Sequence, residues 1–234
     1  MRWSLIARRI HKWLALFVGV QALIWTVTGL YMAAVHIGII HGDHLVRAPD
    51  TRPYVLTELV DPAQLAARYP DMHSLRLQQH LDRPAYILET AAETLLLDAR
   101  TGAVLPPPSE QTIRALAHHW YSGTGPIAEV RLLDKAPLEM QARKPPLWRV
   151  EFEGWNKPTL YFSPVTGELI GRRHELWRIF DFAWMLHIMD YDDRSNVNNP
   201  LLRVMTWAAV AMAVSGAWLL VWSFPKRKRA KAKS

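Results

Sequence analysis

The chain has 234 residues, a formal net charge of +7 and no cysteine. The lack of cysteine excludes disulfides and thiolate–metal sites, so a bound metal would need His, Asp or Glu ligands. The positive charge does not indicate nucleic acid, because the basic residues are concentrated beside two apolar stretches near the ends of the chain. The sequence therefore predicts a membrane protein with a polar middle segment.

The first apolar stretch follows a basic N-terminal segment, 1–12, and predicts a transmembrane helix over 13–36. Its residues 13–35, WLALFVGVQALIWTVTGLYMAAV, carry no charge and would extend roughly 35 Å as a helix. Steps of three and four residues from His11 to His36 define one face of small residues. These are Ala15, Gly19, Ala22, Thr26, Gly29 and Ala33. Such a face suits close helix packing, or a flat cofactor with a histidine at its metal.

The middle of the chain repeats one order of predicted elements. A linker, 37–55, contains the motif HGDH, and two units follow at 56–107 and 108–173. Each unit reads as a helix and then three strand-like runs, ending in a Thr-Gly turn and a short return. We therefore predict an α+β fold with an internal duplication.

The last third of the chain returns to the membrane. Residues 174–199 predict an amphipathic helix at or dipping into the outer membrane face, followed by a polar loop. A second transmembrane helix is predicted at 200–224, before a basic tail at 225–234. The positive-inside rule then places both termini in the cytoplasm and the middle segment on the other side of the membrane. The basic tail is expected to contact anionic membrane lipid.

Several segments resemble one family. The endings LLLDARTGAVL and LYFSPVTGELIGRR resemble the PepSY domain. The segments RRIHKWLALFVGVQALIWTVTGLYM and MLHIMDYDDRSNVNNPLL resemble the PepSY-associated transmembrane family, in its two-helix branch. The resemblance covers nearly the whole chain and implies a tandem PepSY-like αβββ periplasmic domain between the two membrane helices. It also implies haem, because members include haem-containing reductases of ferric iron or ferric siderophores, although other PepSY proteins are thought to restrain peptidases.

The resemblance makes His187 the first candidate for an axial ligand of haem b. A low-spin haem iron takes two imidazoles, and several sources of the second remain open. They are His36, His41 or His44 of the same chain, or His187 of a second chain in a homodimer, which would form a four-helix bundle. We favour the homodimer. Gly29, Phe180 and Trp184 are candidates for packing against the haem.

His11 lies at the opposite end of the first helix from these histidines. It is either an ordinary interfacial residue or marks a second haem or the side where electrons enter. Phosphate-binding loops and dinucleotide fingerprints are absent from the sequence. The electrons would therefore come from quinol or from a separate cytoplasmic flavin reductant.

An acidic group could hold the ferric substrate near the outer membrane face, because carboxylates suit ferric iron. The candidates are Asp43, Asp190, Asp192 and Asp193. The alternative is that these are solvated residues paired with Arg47 and Arg194. The remaining histidines are expected to be surface or packing residues. They are His73, His80, His118, His119 and His174.

The sequence thus predicts an inner-membrane haem protein that reduces ferric iron outside the cytoplasm and so supports ferrous iron uptake. Two other functions remain open. The polar domain could be a non-enzymatic binding or regulatory module tethered by its helices, or the chain could be an accessory subunit of an iron or siderophore transporter.

Overall fold

A computed structural model describes residues 2–48 and 53–223. The predicted basic tail, 225–234, and part of the predicted linker lie outside the described residues. The fold is α+β, with two long apolar helices flanking two small sheets, which confirms the α+β part of the prediction. The chain forms two compact units. We call residues 36–179 the sheet unit, and the described residues of 1–35 and 180–234 the helical unit.

The elements follow the predicted order closely. Among the described residues the α-helices are α1 (Arg2–Ala34), α2 (Ile37–Ile40), α3 (Pro62–Arg68), α4 (Glu110–Trp120), α5 (Glu175–Ile188) and α6 (Pro200–Ser223). The strands are β1 (Met72–His80), β2 (Arg83–Thr90), β3 (Thr94–Asp98), β4 (Ile127–Leu133), β5 (Leu147–Phe152), β6 (Thr159–Phe162) and β7 (Leu169–Arg173).

The helical unit contains α1 and α6, which pack against each other. Their segments Arg8–Ala34 and Pro200–Leu220 are long and apolar enough to cross a membrane. Only 17% and 6% of the residues in their most apolar windows are buried. The core helix of a soluble protein would bury its apolar side chains, so this exposure is what helices surrounded by lipid require.

Helix α1 differs in its limits from the predicted membrane helix. It begins at Arg2 because the basic residues of the N-terminal segment favour helix and no proline or glycine interrupts them. It ends at Ala34, and His36 then caps α2, with its Nδ1 accepting a hydrogen bond from the Gly38 N–H. The predicted face from His11 to His36 therefore stops before its last histidine.

The sheet unit contains two antiparallel sheets, ordered β1-β2-β3 and β4-β5-β6-β7. A short helix precedes each sheet, capped by Asp61 before α3 and by Ser109 before α4. The first strand of each sheet has an irregularity at its start. Each sheet buries its own apolar cluster, with Leu65 of α3 in the first and Ile113 of α4 in the second.

The two Thr-Gly turns have the same hydrogen bonds. In the first, the side chain of Asp98 accepts from the backbone N–H groups of Arg100 and Thr101, and its carbonyl accepts from the Gly102 N–H at 2.8 Å. In the second, Ser163 does the same with its hydroxyl, and its carbonyl accepts from the Gly167 N–H at 3.0 Å. Both glycines have a positive φ, of 69° and 68°. The same turn is therefore formed twice in the chain, with an aspartate in the first and a serine in the second.

The duplication is not exact, because the second sheet has a fourth strand where an αβββ unit has three. The segment that follows the second turn forms β7. The segment that follows the first turn makes only an isolated bridge, between Leu97 and Val104. Residues 106–108 are all proline. Proline has no N–H to donate to a ladder, so the first return cannot extend into a strand.

The two turn glycines provide a matched pair of variants. Alanine at either position is strained by its positive φ, at about 1–2 kcal/mol. At Gly102 a Cβ would make ordinary contacts, at 3.5 Å or more, but at Gly167 it would lie 2.8 Å from Leu116 Cδ1. We expect Gly167→Ala to lower the free energy of unfolding by about 1–3 kcal/mol more than Gly102→Ala, through overpacking. Chemical denaturation followed by circular dichroism measures both, and equal losses would contradict the inequivalence of the two turns.

Candidate functional site

The C-terminal end of α5 is held by side chains of α1 and of the residue before α6. A helix leaves its last carbonyls without partners inside the helix, and in an apolar setting each must be bonded otherwise. Here the Leu186 carbonyl accepts from Gln21 Nε2 at 3.3 Å, and the His187 carbonyl accepts from Trp25 Nε1 at 2.8 Å. The next carbonyl, of residue 188, accepts from Asn199 Nδ2 at 2.9 Å. These bonds fix the last turn of α5.

The ring of His187 is oriented by the same face of α1. Its Nδ1 lies 2.8 Å from Thr28 Oγ1. The residue after Thr28 is Gly29, and a Cβ there would lie 3.7 Å from His187 Cε1. The ring therefore lies beside a glycine, which leaves room along its edge, and Nε2 makes no hydrogen bond with the described residues.

His11 of α1 has the same surroundings, supplied by α6. Its Nδ1 lies 2.9 Å from Ser215 Oγ. The next residue is Gly216, where a Cβ would come within 3.1 Å of His11 Cε1, which is tighter than an ordinary contact. Each histidine thus meets a hydroxyl residue followed by glycine on a neighbouring helix. Both histidine side chains are partly exposed.

This arrangement suits a metal-ligating histidine. Such a histidine uses one ring nitrogen for the metal and donates the N–H of the other to an oxygen, which fixes the ring orientation. Among the described residues, groups of three or more His, Asp or Glu close enough to enclose a metal ion are absent. What the geometry shows at His187 and His11 is an imidazole held at Nδ1 whose Nε2 makes no hydrogen bond with the described residues.

The aromatic candidates lie on α5 in the helical unit. Phe180 and Trp184 are parallel, with ring centroids 6.3 Å apart, and Phe180 lies 6.5 Å from Tyr31 of α1. The Trp184 Nε1 donates to the carbonyl of Arg194, 3.1 Å away, so its indole also fixes the loop before α6. Arg194 forms an ion pair with Asp181.

The other predicted haem ligands, His36, His41 and His44, all lie in the sheet unit. His36 is bonded to the backbone of α2 as described above, which occupies its Nδ1. His41 and His44 are exposed. The ring of His44 lies 5.6 Å from that of His174, edge to face. None of these three has the orienting contacts that His187 and His11 share.

Two of the acidic candidates are already bonded. The Asp190 carboxylate accepts from the backbone N–H groups of Ser195 and Asn196, and the bond from Asn196 contributes most to lowering its pKa. Asp43 pairs with Arg172 at 3.0 Å, rather than with either arginine expected from the sequence. The other two candidates, Asp192 and Asp193, are exposed in the same loop as Asp190.

A fully buried histidine, His174, joins the first and last segments of the sheet unit. Its Nε2 lies 2.9 Å from the Ile39 carbonyl, and its Nδ1 accepts from the Trp177 N–H at 3.4 Å. With Nε2 donating and Nδ1 accepting, the ring is neutral, and burial lowers its pKa below the usual 6.5. The expectation that His174 is a packing residue agrees with this position.

The start of α5 is anchored by a second polar group in the sheet unit. The Arg178 guanidinium binds the Glu139 carboxylate at 2.7 Å, and the Tyr161 hydroxyl donates to the same carboxylate at 2.6 Å. Burial alone would raise the pKa of Glu139, but these bonds outweigh it and hold the pKa below its usual value. The Asn156 side chain caps α5 at the Leu176 N–H.

We expect the sheet unit to lose stability on mild acidification. The lowered pKa of His174 means that the unfolded chain takes up a proton first, so its contribution to stability is complete above about pH 6.5 and is lost as the pH falls below that value. His174→Gln should weaken this pH dependence, whereas the exposed His73→Gln should not. Thermal unfolding of the full chain in detergent between pH 7.5 and 5.5 tests this, and identical pH slopes for all three proteins would contradict it.

The sequence interpretation missed the α1 side chains that orient α5. Gln21, Trp25 and Thr28 are spaced at i, i+4 and i+7, so they share one helix face. Polar residues are expensive within a membrane span and usually face a protein partner. The spacing of these hydrogen-bonding side chains within an otherwise apolar run could have indicated which face of α1 contacts another part of the protein. Ser215 in α6 gave the same signal.

Comparison of the chain with protein-family models, with curated proteins and with solved structures finds no match. The PepSY-associated interpretation therefore remains a resemblance carried by the segments quoted above. The functional interpretation accordingly depends on the geometry of His187 and His11 in the helical unit.

Proposed function

We propose that the protein is a bacterial inner-membrane protein that binds haem b and passes electrons to ferric iron in the periplasm. One observation carries the proposal: His11 near the start of α1, and His187 of α5, which contacts α1 at Thr28, have the same orienting contacts. A haem held by these histidines would supply one-electron transfer between ferric and ferrous iron. The described residues fit such a group, since each histidine has an unbonded Nε2 and a glycine at the edge of its ring.

The two histidines would serve opposite sides of the membrane. Arg8, Arg9 and Lys12 adjoin His11, so the positive-inside rule assigns that end to the cytoplasm. His187 contacts α1 at Thr28, which is roughly 26 Å further along the helix axis. His11 then belongs to the side where electrons enter, from quinol or a flavin reductant, and His187 to the side where they leave.

A homodimer would complete both sites. Each haem iron needs a second imidazole, and a second copy related by a two-fold axis would supply the same histidine to the opposite face. Two chains also give four long helices, which is enough to enclose a macrocycle. Phe180 and Trp184 are flat apolar groups suited to pack against it, near the His187 end.

The substrate would be ferric iron, free or held in a siderophore, at the periplasmic end. We do not assign its contacts to Asp43 or Asp190, because both carboxylates already have partners. The ferrous product would support iron uptake by a separate transporter.

Each histidine should hold haem independently. We expect protein purified from haem-replete cells to show a Soret band that shifts on dithionite reduction. His187→Ala and His11→Ala should each lose about half of the bound haem, since each removes one ligand pair of the dimer. Pyridine haemochrome assay of haem per chain and reduced-minus-oxidised spectra give the measurement.

The matched control is His73→Ala, which removes an exposed histidine of the sheet unit and should leave the spectrum unchanged. Colourless wild-type protein would refute the proposal. That result would favour a tethered binding module or an accessory subunit of an iron or siderophore transporter.

Electron delivery to iron should require the outer histidine. We expect dithionite-reduced protein, freed of excess reductant, to be reoxidised by ferric citrate, with ferrous iron trapped by ferrozine. His187→Ala should slow this reaction at least tenfold even when normalised to its remaining haem, because the site on the exit side is lost. Equal rates per haem in the wild type and the variant would show that His187 is not on the path to iron.

A further inference from the structure

We propose that Thr28 and Ser215 are positioning residues that set which ring nitrogen of His187 and of His11 is presented to the haem iron. This inference rests on the proposed haem-binding function, but its central claim, the protonation of each ring, holds for the haem-free protein too.

The argument begins with the single proton of the Thr28 hydroxyl. Thr28 Oγ1 lies 2.7 Å from the Ile24 carbonyl oxygen, one turn earlier in α1. A carbonyl only accepts hydrogen bonds, so the hydroxyl proton is donated to Ile24. The hydroxyl oxygen therefore has only lone pairs to offer His187 Nδ1, 2.8 Å away. Nδ1 must be the protonated nitrogen.

A neutral imidazole has one protonated nitrogen and one lone pair in the ring plane. With the proton on Nδ1, the lone pair of His187 is on Nε2, which makes no hydrogen bond with the described residues. The ring is thereby held in the one tautomer that keeps a metal-binding lone pair on the nitrogen that is not bonded to Thr28. The imidazole of a free histidine in water has no such contact to hold it in the Nδ1-protonated tautomer.

Ser215 repeats this logic with different residues. Its Oγ donates to the Met212 carbonyl at 2.9 Å, three residues earlier in α6. Its lone pairs then accept the Nδ1–H of His11, also at 2.9 Å. The residue type, the helix and the carbonyl spacing all differ from those at Thr28. The shared outcome, a protonated Nδ1 and a free Nε2, therefore has two independent supports.

The contact also tunes the ligand. An oxygen that accepts the Nδ1–H makes the imidazole a stronger electron donor to a metal bound at Nε2. Stronger donation favours the ferric form of the iron, so loss of the acceptor should raise the reduction potential of that haem. Each hydroxyl should act only on its own histidine.

The first test uses the haem-free protein. In ¹⁵N-histidine-labelled chain, with the signals assigned by His187→Ala and His11→Ala, we expect both rings to be Nδ1-protonated. Thr28→Val should abolish this preference at His187 alone, and Ser215→Ala at His11 alone, whereas Thr28→Ser should retain it. Nε2-protonated rings in the wild type would overturn the inference, whether or not the protein binds haem.

The second test uses the haem-loaded protein. Thr28→Val should lower the haem affinity of the His187 site about tenfold, a typical loss for a partner of a metal ligand, and raise its midpoint potential in a redox titration. Ser215→Ala should do the same at the His11 site, and Thr28→Ser should restore wild-type values. An unchanged affinity and potential in Thr28→Val would overturn the inference while leaving haem binding intact.

The helices offer matched controls for loss of a hydroxyl. Thr26 Oγ1 donates to the Ala22 carbonyl at 2.8 Å, and Thr206 Oγ1 donates to the Leu202 carbonyl at 2.8 Å. Among the described residues, neither hydroxyl is bonded to a histidine. Thr26→Val and Thr206→Val should leave the tautomers, the haem affinities and the potentials unchanged. If they shift the potentials as much as Thr28→Val does, the effect belongs to helix packing and the inference fails.

Discussion

The helical unit depends on satisfying the polar groups at the C-terminal end of α5. In apolar surroundings each free carbonyl costs several kcal/mol, so a helix can end there only if side chains bond its last turn. Gln21 and Trp25 of α1 and Asn199 before α6 supply those bonds. His187 lies in that turn, so the bonds that allow the helix to end also fix the position of its ring. The candidate site is a consequence of helix termination.

The sheet unit anchors the other end of the same helix. His174 is buried and bonded to the Ile39 carbonyl and the Trp177 N–H, and the partly buried Glu139 is bonded to Arg178 in the first turn of α5. Buried polar groups are destabilising when unpaired, so these contacts favour one position of the helix start. The two sheets themselves are built from repeated turns and caps, and their chemistry resembles a scaffold more than a reaction centre.

The same combination of a hydroxyl, a glycine and a histidine is found near both ends of the helix pair. Thr28-Gly29 faces His187, and Ser215-Gly216 faces His11. In both places a hydroxyl that donates to a carbonyl of its own helix contacts the ring Nδ1, and a glycine lies beside the ring Cε1. A stripe of small residues alone is explained by helix packing. The oriented imidazole at each end is the added observation on which the proposal of two haem sites rests.

The sequence by itself determined the α+β class, the two apolar helices and the order of the strands. Those features follow from local periodicity, from caps such as Ser109 and from turn residues such as Gly167, which act over a few neighbouring positions. The candidate role of His187 as a haem ligand came from resemblance and stays a prediction. Only the tertiary structure decided that His11 and His187 are equivalent, that His36 caps a different helix and that Asp43 pairs with Arg172. Apart from the cap at His36, which is local, these contacts join positions more than 100 residues apart, as His187 and Thr28 are, and local pattern carries no information about such pairs.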